Sequence, residues 1–156
     1  MGNALQGIPS VISDERPRVW RYSHSAGPIR SRFLLNLRDQ QKITGTKCPT
    51  CGKVYVPARS TCLKCFEDMS DWVEVSHEGT LKTFTIVHEP LPSLKSEIPF
   101  ILGIIQLDGA DTGIVHRLGD VDSEELRIGM RVKAVFEGEV KGDIRDIKFF
   151  RPADSA

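Results

Sequence analysis

The sequence has few aromatic residues, no long apolar run and no cysteine outside one short stretch. Its 156 residues are 7% aromatic and 40% hydrophobic, which is typical of a globular chain with one ordinary domain or two small ones. No apolar run approaches the roughly 20 residues that span a bilayer, so no membrane role is expected. The start, MGNALQGIPSVISDERPR, lacks the basic-then-apolar order of a signal peptide. We therefore expect a cytoplasmic protein.

Recognisable catalytic motifs are also missing. No serine lies in a nucleophile elbow, and no glycine-rich stretch could form a phosphate loop. The histidines are His24, His77, His88 and His116, and they are scattered along the chain. The sequence predicts no catalytic residue, and we expect a structural or interface role for each histidine.

The four cysteines form two Cys-x-x-Cys pairs, Cys48/Cys51 and Cys62/Cys65, separated by ten residues. Each turn of this kind aims two sulfurs at one point, and two turns complete the tetrahedral thiolate shell that zinc prefers. Gly52 suits the positive φ of a tight knuckle. No glycine follows the second pair, so we expect a less regular second knuckle. The spacing predicts a structural zinc site with no open coordination position.

Other uses of the four thiols are open. Iron fits the same sulfurs, and two disulfides or a redox Cys-x-x-Cys are further alternatives. A reducing compartment disfavours disulfides, and a redox pair needs no second pair beside it. If all four thiols bind metal, none is left as the nucleophile that thiolysis requires.

The charges are unevenly divided although the net charge is zero. Residues 16–65 contain eleven lysines or arginines and one acidic residue, whereas residues 66–156 contain ten against eighteen. A basic segment favours an anionic partner, such as nucleic acid, the phosphates of a nucleotide-like cofactor or the acidic face of a protein. A solvated basic surface is the alternative.

Residues 1–26 predict an irregular arm, because prolines and glycines interrupt it and its apolar residues show no period. Trp20 and Tyr22 lie beside arginines, and this combination is typical of protein interfaces. We predict that both contact a partner.

Residues 29–42 predict an amphipathic, basic helix that begins after Pro28 and ends before Gly45. Its apolar positions recur at helical spacing, and arginines occupy the other face. Three of its side chains are assigned to the same partner interface as the aromatic residues of the arm: Arg30, Phe33 and Arg38.

The rest of the chain predicts a zinc ribbon and then a barrel. Short apolar pieces at 54–57 and 72–76 flank the second knuckle and suit ribbon strands. Five β-rich runs follow at 79–88, 99–107, 112–116, 131–137 and 144–151, with a short helix at 122–129 between the third and fourth. This is the element order of a five-stranded OB-fold. We predict a mainly β protein with an arm at 1–26, a helix and ribbon at 27–76 and an OB-fold at 77–156; the long link 88–98 is a candidate binding loop.

These stretches together resemble a known family. A basic helix leads into GTKCPTCGKVYVPARSTCLKC, which is followed by WVEVSHEGTLKTFTIVHEP, PFILGIIQLDGADTGIVHRL and GMRVKAVFE. Over about residues 22–152 the chain is similar to the family that joins a rubredoxin-like zinc ribbon to an acyl-CoA-associated OB-fold. The cysteine spacing, the VYVPAR link and the GTLKTFT strand are the most specific parts.

The resemblance implies a non-catalytic accessory subunit of a thiolase-fold acyl-CoA enzyme, which cleaves C–C bonds by thiolysis or by a retro-aldol reaction. Such a subunit helps to form the acyl-CoA site, and binding to a dimeric enzyme implies a two-plus-two heterotetramer. The stretch SRFLLNLRDQQKITGTKCP looks most like subunits of thiolases for unusual acyl-CoA esters, such as the benzoylsuccinyl-CoA thiolase of anaerobic toluene breakdown.

A shared coenzyme A site would need basic side chains for the phosphates and a smooth surface for the pantetheine arm. We predict that a subset of the following residues lines one groove: Lys53, Arg59, Lys82, Lys95, Arg117, Lys148 and Arg151. Taken singly, each of these is more simply explained as a solvated surface charge, so the prediction concerns the set.

Binding of single-stranded nucleic acid is the competing function, since zinc ribbons and OB-folds both serve it. The acidic excess of residues 66–156 argues against it, because such barrels usually offer a positive groove with stacking aromatic residues. The phenylalanines of the predicted strands are expected in the core.

Overall fold

The computed structural model describes residues 23–89 and 98–153. One helix, α1, spans Gly27–Gln40. A three-stranded sheet is formed by β1 (Thr44–Lys47), β2 (Val54–Tyr55) and β3 (Asp71–Glu74). A closed barrel is formed by β4 (Glu78–Val87), β5 (Phe100–Leu107), β6 (Gly113–Leu118), β7 (Arg131–Phe136) and β8 (Ile147–Pro152). The predicted fold class is confirmed.

Helix α1 buries Phe33 and Leu37 on one face, and a proline stands in its first turn. The helix ends at Gln40, and the left-handed φ of 52° at Gln41 lets the Lys42 N–H donate back to the Asn36 carbonyl at 3.2 Å. The helix ends two residues before the predicted residue 42, and Gly45, expected to mark its end, is not its cap. That glycine lies inside β1, where a Cβ atom would come within 2.6 Å of the Tyr55 carbonyl oxygen, so it serves close strand approach.

Strand β1 is the centre of the small sheet, with β2 and β3 antiparallel on its two sides. The strand was not predicted from the sequence, because its residues TGTK are polar or small. The buried side chain of Thr46 stabilises β1 through two hydrogen bonds. Its hydroxyl donates to the Arg59 carbonyl at 2.8 Å and accepts from the Arg59 N–H at 2.9 Å. Buried hydroxyls are tolerated only when paired in this way.

The barrel has the strand order β4-β5-β6-β8-β7, and β4 closes it against β7. All neighbours are antiparallel except β6 and β8, which meet in parallel at Leu118 and Phe150. Every second residue of β6 points inward, as alternation along a half-buried strand requires. The largest fully buried barrel side chains are Leu81, Ile105, Leu107, Val132, Ile147 and Phe150.

The predicted helix at 122–129 was wrong, since the chain there forms turns. Single backbone bonds from Glu125 N–H to Asp122 and from Met130 N–H to Arg127 define them. A segment of this length cannot offset the cost of nucleating a helix. The last predicted run also begins later than expected, because Ile144–Asp146 is a 3-10 turn before β8.

The sheet and the barrel are joined by a polar seam. Val54 N–H donates to the Asp111 carboxylate at 2.8 Å. The Thr112 hydroxyl accepts from Val56 N–H at 2.8 Å and donates to the Val56 carbonyl at 3.0 Å. One apolar cluster also runs from α1 through β2 into the barrel. The predicted boundary between the ribbon and the barrel, at residues 76 and 77, stays a prediction, because one apolar core is continuous across it.

Candidate metal centre and basic groove

The four cysteine sulfurs converge at one end of the ribbon and lie within 4.8 Å of one another. The Cys51 and Cys62 sulfurs are 3.7 Å apart. A tetrahedral zinc with Zn–S bonds of ~2.3 Å has sulfur separations of about 3.8 Å, so the set fits such an ion. Within residues 23–89 and 98–153, it is the only group of three or more potential ligands close enough to share a metal.

The two knuckles have the same backbone geometry. In the first, Gly52 N–H donates to the Cys48 carbonyl, and in the second, Phe66 N–H donates to the Cys62 carbonyl, both at 3.0 Å. The expectation of a less regular second knuckle was wrong. Phe66 adopts φ 58° where Gly52 has φ 72°, so a bulky residue occupies the left-handed conformation that favours glycine.

Hydrogen-bond donors surround the sulfur of Cys62. The Tyr55 hydroxyl lies 3.4 Å away, and the backbone N–H groups of Lys64 and Cys65 donate at 3.4 Å each. The Tyr55 bond, followed by the two N–H groups, lowers the pKa of Cys62 to about 6. Burial raises the pKa of Cys65. A bound divalent cation deprotonates its coordinating thiols outright, and these donors then stabilise the thiolate charge.

A groove of about 570 Å³ lies between the start of α1 and the chain segment 57–63. It brings together Arg30, predicted at the partner interface, and Arg59, predicted for coenzyme A. The apolar side chain of Leu63 lines it as well. The juxtaposition depends on how the helix packs on the ribbon, and spacing along the chain carried no sign of it.

The other predicted coenzyme A residues are spread over the surface. Lys82 lines a second groove, of about 260 Å³. Lys53 is exposed beside the first knuckle. The backbone of Arg151 in β8 lies opposite that of Lys133 in β7. Two side chains lie over rings: Arg117 at 5.0 Å from Phe100, and Lys148 at 5.8 Å from Phe149. Lys95 lies outside the described residues. The collective site stays a prediction.

The predicted partner interface needs one correction. Phe33 is 1% exposed and packs in the core of the chain itself, so it has no surface to offer a partner. Arg30 is exposed in the groove, and Arg38 is paired with Asp39 at 2.7 Å. Trp20 and Tyr22 lie outside the described residues. Two exposed apolar residues of the second knuckle, Leu63 and Phe66, were not predicted as surface residues from the sequence.

Two of the described histidines, His77 and His116, have structural surroundings. The His77 ring lies edge-on to Phe136, with centroids 5.0 Å apart. His116 is buried inside the barrel, where its Nε2 lies 3.3 Å from the Ile144 carbonyl and its Nδ1 has no hydrogen-bond partner among the described residues. Burial lowers the pKa of His116, which favours the neutral ring.

In the described ranges, no helix is both long and apolar enough to cross a bilayer.

Two family models match the chain in succession. The model described as ChsH2, rubredoxin-like zinc ribbon domain, matches residues 36–70, and the model described as ChsH2, C-terminal OB-fold domain, matches residues 72–137. Together they cover the cysteine pairs, β3 and the barrel up to β7.

Known relatives extend these matches. A DUF35 domain-containing scaffold protein of Methanocaldococcus jannaschii is 30% identical over 136 residues, which is 83% of each chain. One of Pyrococcus furiosus is 30% identical over 105 residues, or 67% of this chain and 76% of its own.

Solved structures give the same fold. A chain of the Ltp2-ChsH2(DUF35) aldolase matches with a TM-score of 0.60 and 22% identity over 83% of this chain and 98% of that one. A DUF35 protein of unknown function from Sulfolobus solfataricus matches with a TM-score of 0.60 and 25% identity over 81% and 84%. This chain belongs to the family of DUF35 scaffold proteins, in which a ChsH2-type zinc ribbon precedes an OB-fold.

Proposed function

We propose that this chain is a non-catalytic accessory subunit of a thiolase-fold acyl-CoA enzyme, which it stabilises and whose acyl-CoA site it helps to form. The observation that supports this most is the convergence of all four cysteines on one site, because it leaves no free thiol for acyl transfer. The partner would then supply the nucleophile. The names of its relatives agree: scaffold proteins in archaea and an aldolase that combines Ltp2 with ChsH2.

The metal is proposed to be a structural zinc held by Cys48, Cys51, Cys62 and Cys65. Four protein thiolates close the coordination shell, so the ion would fix the ribbon and activate no water or substrate. Elemental analysis of the purified chain should give one zinc per chain. One iron per chain, with the visible absorption of an iron tetrathiolate, would contradict this assignment.

Coenzyme A is proposed to bind where this chain meets its partner, with its phosphates on exposed basic residues. Lys82 is the first candidate, because it lines a groove on the barrel. Guanidinium and ammonium groups at such positions can form charge-assisted bonds to phosphate. Lys82→Gln should raise the KM for the acyl-CoA ester in the reconstituted enzyme, with little change in kcat.

The assembly is tested by nuclease-treated affinity purification from the native lysate, followed by reconstitution with the purified partner. We expect a stoichiometric thiolase-fold subunit and the mass of a two-plus-two complex. Turnover should require both chains, and benzoylsuccinyl-CoA is the first ester to assay. Recovery of only nucleic-acid-handling proteins, or equal turnover by the partner alone, would contradict the proposal.

A further inference from the structure

The second zinc knuckle presents two large apolar side chains to solvent. Leu63 is 61% exposed and Phe66 is 81% exposed. Single exposed apolar residues are ordinary on protein surfaces. Here, however, both belong to one turn of five residues around the metal site, and Leu63 also lines the groove that contains Arg30 and Arg59. We call these four residues the knuckle surface.

The backbone conformation of Phe66 is a second observation that favours a functional role for its exposed ring. Its φ is 58°, and Gly52 at the matching position of the first knuckle has φ 72°. A bulky residue in this conformation costs free energy that glycine avoids. Since the ring is almost fully exposed, its packing within the chain does not offset that cost. Residues held in unfavourable conformations are concentrated at functional sites.

The two arginines of the knuckle surface are available for charged ligands. Among the residues that the structure describes, neither guanidinium forms an ion pair with a carboxylate, although other arginines do. The surface therefore combines a protruding aromatic side chain, an apolar wall at Leu63 and two unpaired cations. Aromatic residues and arginines of this kind dominate the binding energy of protein interfaces.

We propose that the knuckle surface is a docking site for a protein partner that offers an apolar socket to Phe66 and carboxylates to Arg30 and Arg59. This inference rests on the proposed function insofar as the partner is the enzyme subunit. It assigns the contact to the second knuckle, with the first knuckle and its glycine left outside the interface.

A protein fits this surface better than a nucleic acid does. Glu67 and Asp68 directly follow Phe66, and both are exposed. A phosphate backbone over the ring would meet these two carboxylates. A folded protein can instead place charges of either sign locally, so it can satisfy the arginines and the carboxylates together.

The decisive variant is Phe66→Gly, because it removes the ring and also suits the backbone. We expect its Tm to equal or exceed that of the wild type, while its Kd for the purified partner rises about tenfold or more, as for an interface hot spot. Ile128→Ala is the matched control, since it truncates an apolar side chain that is 68% exposed on the barrel side of the chain. Its Kd should equal that of the wild type. Arg30→Gln with Arg59→Gln should weaken binding and reduce its salt dependence.

The outcomes separate the two proposals. If the partner binds Phe66→Gly as tightly as the wild type, the docking inference is overturned and the proposed function stands. If the wild type has no protein partner, the proposed function fails and the inference falls with it. The docking inference is also overturned if Phe66→Gly leaves partner binding intact but abolishes either binding to a single-stranded oligonucleotide or self-association in sedimentation.

Discussion

The ribbon and the barrel hold short strands together by different means. The buried side chains around the metal site are few, namely Cys48, Tyr55, Cys62 and Met69. The barrel closes its sheet around a large set of aliphatic and aromatic residues. The ribbon therefore depends on the metal, on the seam and on the apolar core that it shares with the barrel, whereas the stability of the barrel is distributed over that core.

Metal removal should have the largest effect, and it should destabilise the ribbon far more than the barrel. Structural zinc sites contribute apparent free energies of ~10–16 kcal/mol in zinc-finger peptides, so a chelator should unfold β1–β3 and release the partner while the barrel stays folded. Hydrogen exchange measured by NMR would report both regions in one sample. Zinc should restore the ribbon and magnesium should not. Equal loss of protection in both regions, or full partner affinity without metal, would contradict this view.

A core truncation should act on the barrel alone. Leu81 is fully buried, and Leu81→Ala should lower the free energy of unfolding by about 2–5 kcal/mol, since it removes apolar contacts and leaves a cavity. Urea unfolding measures the loss, and the zinc content should stay at one per chain. Val115→Ala is the control: this β6 residue is 62% exposed, and the change should stay within ~0.5 kcal/mol. Loss of zinc from the Leu81 variant would show that the two regions are not separable.

Disrupting the seam should lower the free energy of unfolding of both the ribbon and the barrel by an intermediate amount. Thr112→Val keeps the shape of the side chain but leaves Val56 N–H and C=O without their partner. We expect a loss of ~1–3 kcal/mol, because buried backbone groups would be unpaired. Thr85→Val on the exposed side of β4 is the matched control and should be nearly neutral. An unchanged denaturation midpoint for Thr112→Val would mean that the seam does not couple ribbon and barrel.

The smallest expected effect is a pH dependence that originates in the barrel. Burial lowers the pKa of His116, so the folded protein favours the neutral ring. Its contribution to stability is complete above the unfolded pKa of about 6.5 and is lost as the pH falls from there towards the folded pKa. His116→Gln should flatten this acid-side loss, measured by urea unfolding at about pH 7 and about pH 5. His88→Gln, at an exposed position, should retain it. An unchanged slope in the His116 variant would assign the acid loss to other groups.

The parts of the structure that were predictable depend on neighbours in the sequence. The cysteine spacing predicted the cluster because a Cys-x-x-Cys turn fixes two sulfurs by local geometry. The five β-rich runs predicted the barrel strands because alternation is also local. Strand β1 was not predicted, because its register is set by two other strands and by the hydrogen bonds of Thr46 to Arg59. The expected helix at 122–129 failed because capping residues alone do not stabilise so short a segment.

The sequence alone thus determined the ligand set of the metal centre, the fold class and the positions of most strands. Only the tertiary structure decided that Phe33 faces the core, that Phe66 faces solvent and that Arg30 and Arg59 share a groove. Phenylalanine looks the same in a sequence whether it packs inside or protrudes. Its environment is set by the packing of elements that are distant along the chain, and no local pattern encodes that packing.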